Sequence, residues 1–67
     1  MTGLGKRLRE IRFEKGLTLK EVAKSTDFSH AAISCWEIEE RMPSAYAIYV
    51  LAKFYKVSAD YILGLTD

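Results

Sequence analysis

The 67-residue chain contains a single cysteine, a single histidine and a single proline. One cysteine, Cys35, excludes an internal disulfide and a zinc site built from cysteines, so packing must hold the fold together. One histidine, His30, excludes most metal centres and most acid–base catalytic sets. We therefore expect no cofactor, no metal ion and no enzymatic activity.

The chain also lacks any apolar run approaching the roughly 20 residues that a membrane helix needs. Its first residues lack the basic and then apolar layout of a signal peptide. Hydrophobic residues make up 49% and charged residues 28% of the sequence, a composition typical of a folded domain. The expectation is a soluble, cytoplasmic protein without membrane contact, with one domain over residues 1–67.

Charge is distributed unevenly along the chain, although the formal net charge is only +1. Residues 1–24 hold seven basic and three acidic side chains, a net of +4, whereas residues 25–67 hold three basic and six acidic ones, a net of −3. The basic first third permits a polyanionic partner without demanding one. We interpret Lys6, Arg7 and Arg9 as a solvated face, the commoner fate of such charge runs.

The spacing of apolar residues predicts about five helices and no strand. A first helix is predicted over residues 3–15, because Gly16 suits a left-handed helix stop. Thr18 followed by Glu21 is a capping box, which starts a second helix. Later helices are predicted to follow serine caps at Ser29, Ser44 and Ser58.

The most informative feature is a short helix, a turn of about three to four residues and a second helix. Two helices cross this closely only when the first carries a small residue, here Ala23, and the second carries apolar anchors, here Ile33 and Trp36. The arrangement, at about residues 18–38, resembles the Cro and phage-repressor (XRE) helix-turn-helix family.

The resemblance extends from Leu4 to Leu65 and depends on the joint spacing of several short sequences. They are Leu17-Thr18, Glu21-Val22-Ala23, Ser29, Ile33-Ser34, Trp36-Glu37, Arg41, Pro43-Ser44, Leu51-Ala52, Val57-Ser58 and Leu63-Gly64. It implies an all-α, compact five-helix repressor-like bundle that binds double-stranded DNA without a small-molecule ligand. It also implies a partly buried ion pair between Arg12 and Glu37.

In this family the third helix enters the major groove. The resemblance implies base contacts from its N-terminal half, at Ser29, His30, Ala31, Ser34 and Cys35. None of these is an arginine, asparagine or glutamine, the side chains that contact guanine or adenine through two hydrogen bonds, so we expect modest specificity. His30 can equally be interpreted as a polar surface residue, and Cys35 is better interpreted as a small groove-facing residue than as a redox switch. Phosphate contacts are expected from Lys20, Ser29 and Arg41.

The sequence departs from the family pattern near the expected DNA contacts. Leu19 stands where the family usually has glutamine, and Ile38-Glu39 replaces the usual Asn-Gly after the third helix. Glu39 and Glu40 are expected to repel phosphate, with only Arg41 to compensate. Two hypotheses therefore stand: a stand-alone transcriptional regulator, expected to be a repressor, and a protein-interaction module with a repressor-like fold and weak or absent DNA binding.

The fourth helix is apolar on nearly all sides. Its inward residues are predicted to be Ile48, Leu51, Ala52 and Tyr55. Tyr46, Val50 and Phe54 recur at i, i+4 and i+8 on another side, which favours a homodimer interface over scattered surface residues. Tyr61 and Leu65 join this predicted interface, because family members often dimerise through the C-terminal region. A homodimer would match a pseudo-palindromic operator.

Overall fold

The computed structural model describes residues 3–66, and within that range it contains five helices and no strand. The helices are α1 (Leu4–Glu14), α2 (Leu19–Ser25), α3 (His30–Glu37), α4 (Ala45–Tyr55) and α5 (Ala59–Leu63). The predicted all-α class is confirmed. None of these helices, over the residues described, has the length and apolar character needed to cross a membrane.

The helices begin and end where the capping residues predict. The Thr18 hydroxyl accepts a hydrogen bond from the Glu21 amide at 3.1 Å, and the Glu21 carboxylate accepts one from the Thr18 amide at 2.8 Å. Gly16 has a φ of 70° and Gly64 a φ of 78°, a left-handed conformation that glycine adopts without steric cost. Three serine hydroxyls each accept from the amide three residues further on: Ser29, Ser44 and Ser58.

The core lies where α3 and α5 both pack against α1. Helix α3 also packs against α2, and α5 against α4, so α1 joins the two pairs. The largest fully buried side chains are Leu8, Ile11, Val22, Ile33, Leu51, Tyr55 and Ile62. Burying one such side chain contributes about 1.5–3 kcal/mol, a large share of the stability of so small a domain.

Ile48 differs from its predicted placement. It is only half-buried. Ala47, which was not among the predicted inward residues, is 1% exposed. Ile48 lies on the same side of α4 as the buried Leu51 and Tyr55, but it lines an open groove between α4 and α5. The side of α4 that faces the core was therefore predicted correctly. That α5 covers this side incompletely was not predicted.

Candidate nucleic-acid interface

Helix α3 has a buried side and an outer side. Ile33, Trp36 and Glu37 are 2%, 8% and 6% exposed and face the core. A rotation of about 100° per residue puts Ala31 and Cys35 on the opposite side and Ser34 between the two sides. Ser29 precedes the helix, and His30 lies nearer the core-facing side, in the first turn. Of the predicted base-contacting residues on the helix, His30 and Ala31 are exposed, whereas Ser34 and Cys35 are half-buried. The outer side is therefore short and almost uncharged.

Ser29 is committed to capping α3. Its Oγ accepts a hydrogen bond from the Ala32 amide at 3.1 Å. The hydroxyl proton can still be donated, and a phosphate oxygen only accepts hydrogen bonds. A base edge also presents acceptors, so the geometry is compatible with either predicted contact of Ser29.

A groove of about 670 Å³ runs along one flank of α3, between Cys35 and the segment that leads to α4. The Cys35 Sγ lies 3.8 Å from Oε1 of Glu40. Arg41, an exposed residue, lines the same groove. An anion that approached this flank would meet one acidic and one basic side chain, so their charges largely offset each other.

Lys20 lies at the start of α2 and is exposed. The neighbouring Glu21 is engaged in the capping box with Thr18. Because that carboxylate occupies the N-terminus of α2, the positive end of this helix dipole is already partly neutralised. Lys20 is left as the main cation of α2 that can meet a phosphate at this end.

Arg12 and Glu37 form a buried ion pair that joins α1 to α3. The Arg12 Nε donates to Oε2 of Glu37 at 2.8 Å, and Nη2 donates to Oε1 at 2.9 Å. The remaining Nη1 donates to the Leu17 carbonyl at 3.0 Å. The hydrogen bond with Glu37 raises the pKa of Arg12, against the opposing effect of burial. A bidentate pair of this kind fixes the orientation of α3 as well as its position.

Glu39 has a role that the sequence analysis missed. Its Oε2 accepts hydrogen bonds from the Gly3 amide at 3.1 Å and the Gly5 amide at 2.9 Å. Gly3 has no side chain with which to cap α1, so Glu39 caps it from a distant part of the chain. The expected repulsion of phosphate by Glu39 is therefore weakened, because the positive end of α1 holds this carboxylate.

The cap depends on a close approach between α1 and the end of α3. A Cβ added at Gly5 would lie 2.3 Å from the Glu37 carbonyl oxygen and 2.7 Å from that of Trp36. Glu39 itself has a φ of 62°, an unusual conformation for a residue other than glycine. Glycine at position 5 was a visible signal in the sequence, but its partner could be identified only from the fold.

Arg7 was expected to lie on a solvated face, but its side chain contacts α5 instead. Its Nη1 donates to the Tyr61 carbonyl at 3.0 Å, and its guanidinium carbon lies 4.4 Å from the centroid of the Tyr61 ring. This cation–π contact ties α1 to α5. Within the predicted face, only Lys6 and Arg9 are exposed.

The predicted dimer interface is only partly exposed. Tyr46 and Leu65 are 59% and 72% exposed, but Val50, Phe54 and Tyr61 are half-buried within the protomer. A further apolar feature is the neighbouring groove between α4 and α5, of about 330 Å³. It is lined by Ala45, Ile48, Tyr49, Ala52, Lys53, Val57, Ala59 and Leu63. Sequence reasoning missed it because the groove depends on how α5 lies across α4.

Comparison with known proteins identifies the family. A family model described as a helix-turn-helix domain matches residues 5–67. The chain belongs to the XRE-type helix-turn-helix family. The resemblance stated from the sequence is thereby confirmed. Regulators of this family are not enzymes, in agreement with the expectation from the sequence.

Two relatives of this XRE-type chain come from Bacillus subtilis (strain 168). The uncharacterized HTH-type transcriptional regulator YobD is 38% identical over 61 residues, which cover 91% of this chain and 54% of YobD. The HTH-type transcriptional regulator ImmR is 39% identical over 61 residues, which cover 91% of this chain and 48% of ImmR. The chain thus spans about half the length of the curated relatives that it matches. No solved structure gives a significant match.

Proposed function

We propose that this XRE-type chain is a DNA-binding transcriptional regulator that inserts the outer side of α3 into the major groove. The observation that carries the proposal is the division of α3 into two sides. Its inner side is fixed by the Arg12–Glu37 pair, whereas Ala31 on the outer side and His30 in the first turn are exposed to solvent. The matched relatives are named as transcriptional regulators, which supports the same function.

The outer side can read bases in a limited way. His30 offers a ring nitrogen for a hydrogen bond to a base edge, and Ala31 offers a methyl group to the methyl of thymine. Ser34 and Cys35 add short polar groups. Without a two-hydrogen-bond contact from arginine or asparagine, much of the affinity must come from phosphates, through Lys20, Ser29 and Arg41.

A homodimer would give this short reading surface enough specificity for an operator. Two copies related by a two-fold axis would read half-sites about 34 Å apart, one turn of the duplex. The proposed dimer surface is the apolar side of α4 and α5 around Tyr46 and Leu65, which are among the most exposed large hydrophobic residues. Such a dimer, bound to an operator in the cytoplasm, would repress by occupying the site.

The test is a selection from random duplex DNA, followed by fluorescence anisotropy with the enriched sequence. Ala31→Glu adds a negative charge to the proposed reading surface, and we expect it to weaken binding more than about tenfold. Phe13→Glu adds the same charge at a 63% exposed position on α1, outside the proposed reading and dimer surfaces, and should leave the affinity unchanged. No enrichment of any duplex, or equal losses for the two variants, would contradict the proposal.

The second candidate is a protein-interaction module with weak or absent DNA binding. Exposed Ile38, at 54%, and Glu40 beside the α3 groove favour it. Salt separates the two functions, because six or more phosphate contacts lose about a thousandfold in affinity between 50 and 200 mM salt. An apolar protein contact would change little over the same range.

A further inference from the structure

A second depression, of about 530 Å³, lies at the C-terminal end of α3. It is lined by Lys6, Arg9, Glu37, Ile38 and Glu39. The Ile38 amide donates to the Ser34 carbonyl at 3.1 Å, so the helical bonding pattern reaches Ile38. His30, Ser34 and Ile38 are therefore spaced i, i+4 and i+8 along one side of α3. The depression continues the proposed reading surface.

The charges in this depression do not cancel. Glu37 is paired with Arg12 at 2.8 Å, and the Glu39 carboxylate is held by two amides at the start of α1. Lys6 and Arg9 are exposed, and neither forms an ion pair or side-chain hydrogen bond among residues 3–66. Because both acids are occupied within the protein, two cations remain to act on an anion outside it.

The distance along α3 from His30 to this depression is compatible with the dimensions of the major groove. Ile38 lies about 12 Å along the helix axis from His30, at about 1.5 Å per residue. The major groove is about 12 Å wide and about 8.5 Å deep. When the N-terminal end of α3 contacts base edges, its C-terminal end lies near the groove rim, where the phosphates are. Arg41 lies on the other flank of α3, beside Cys35.

We propose that Lys6 and Arg9 form a phosphate-binding site for duplex DNA, which holds the strand at the C-terminal end of α3. The inference rests on the proposed function and extends it, since it adds α1 to the DNA-contacting surface. The two cations attract the phosphates of the duplex. The other flank of α3 attracts them little, because the charges of Glu40 and Arg41 largely offset each other. The contact is to the sugar-phosphate backbone, so it strengthens binding to all duplexes alike.

The experiment measures the salt dependence of the dissociation constant for the intact chain and the enriched duplex. Lys6→Gln and Arg9→Gln should each lower the slope of log affinity against log salt by about 0.9, and the double variant by about 1.8. At 0.1 M salt each single variant should bind roughly five- to tenfold more weakly, by the same factor on an unrelated duplex.

Lys15→Gln is the matched control, since it removes one positive charge from an exposed residue that caps the opposite end of α1. Its slope should equal that of the wild type, and all variants should melt at the same temperature by circular dichroism. A wild-type slope in the double variant, or an equal loss in Lys15→Gln, would overturn the Lys6–Arg9 site and leave the regulator function intact. Failure of the wild type to bind any duplex would overturn both.

Discussion

The α1–α3 junction and the α4–α5 surface are held by different kinds of contact. At the junction, a bidentate ion pair and the close approach at Gly5 join α1 to α3, and the Glu39 cap joins α1 to the residues just after α3. Across α4 and α5, apolar side chains surround an open groove. Hydrogen bonds are directional and apolar contacts are not, so the junction fixes one geometry while the groove leaves area for a partner.

The variant Glu37→Ala tests the ion pair of the junction and is expected to change stability the most. It leaves the Arg12 guanidinium, 8% exposed, without its carboxylate partner, and we expect a loss of about 3–5 kcal/mol in the free energy of unfolding. Urea denaturation followed by circular dichroism measures it. The double variant Arg12→Met with Glu37→Leu should recover most of the loss. A cost below about 1 kcal/mol for Glu37→Ala would mean that the pair behaves as a solvated one.

Gly5→Ala tests the close approach directly. In an ordinary helix this change stabilises by about 0.5–1 kcal/mol. Here the new Cβ meets backbone carbonyls, so α1 must move, and we expect destabilisation by about 1–3 kcal/mol. Glu10→Ala, at an exposed position of the same helix, should stay within about 0.5 kcal/mol. A stabilised Gly5→Ala protein would show that the junction is not tight.

Tyr55 on α4 lies close to the Arg12–Glu37 pair of the junction. Its ionisation makes the stability of the fold sensitive to alkaline pH. Burial, and then the negative charge of Glu37, raise the pKa of Tyr55 to about 12 from the ordinary value of 10.0. The unfolded chain loses this proton first, so stability is complete below pH 10 and falls as the pH rises to 12, by up to about 2 kcal/mol. Urea titrations across that range should show a smaller fall for Tyr55→Phe than for the wild type.

Two variants of Glu39 distinguish the stabilising effect of its helix cap from the cost of its backbone conformation. Glu39→Ala removes the carboxylate but keeps a residue that disfavours positive φ, and we expect a loss of about 1–2 kcal/mol. Glu39→Gly also removes the carboxylate but relieves the strain, so it should be about 1 kcal/mol more stable than the alanine variant. Thermal melts of the two proteins measure the difference, and equal stabilities would argue against strain at this position.

The smallest effect on monomer stability is expected at the α4–α5 surface. Tyr49 is 56% exposed, so Tyr49→Ser should change the free energy of unfolding of the monomer by less than about 0.5 kcal/mol. The same variant should weaken self-association, measured by sedimentation equilibrium. Phe13→Ser, at a 63% exposed position on α1, is the matched control and should leave self-association unchanged.

The fold could be predicted from local chemistry because most of its boundaries are local. The capping box of Thr18 and Glu21, the serine caps and the stops at Gly16 and Gly64 depend only on neighbouring residues. The side of α3 that faces the core also follows from helical periodicity, as the burial of Ile33 and Trp36 shows.

Apart from the Arg12–Glu37 pair, which the family resemblance implies, the sequence did not indicate the contacts between residues far apart along the chain. Glu39 bonds to amides 34 and 36 residues earlier, and Arg7 to a carbonyl 54 residues later. No spacing rule relates such positions, so Glu39 was interpreted as a free acid and Arg7 as a solvated base. The groove beside Ile48 was missed for the same reason, since it depends on the angle between two helices.

The contacts that hold α3 in place all come from its inner side and its two ends. His30, Ala31, Ser34 and Cys35 supply no side chain to the ion pair, the Glu39 cap or the Gly5 approach. The two exposed positions, His30 and Ala31, can therefore be randomised together with little effect on folding, since surface changes usually stay within about 0.5 kcal/mol. A library of variants at these sites can therefore be screened for new operator preferences while the rest of the fold stays unchanged.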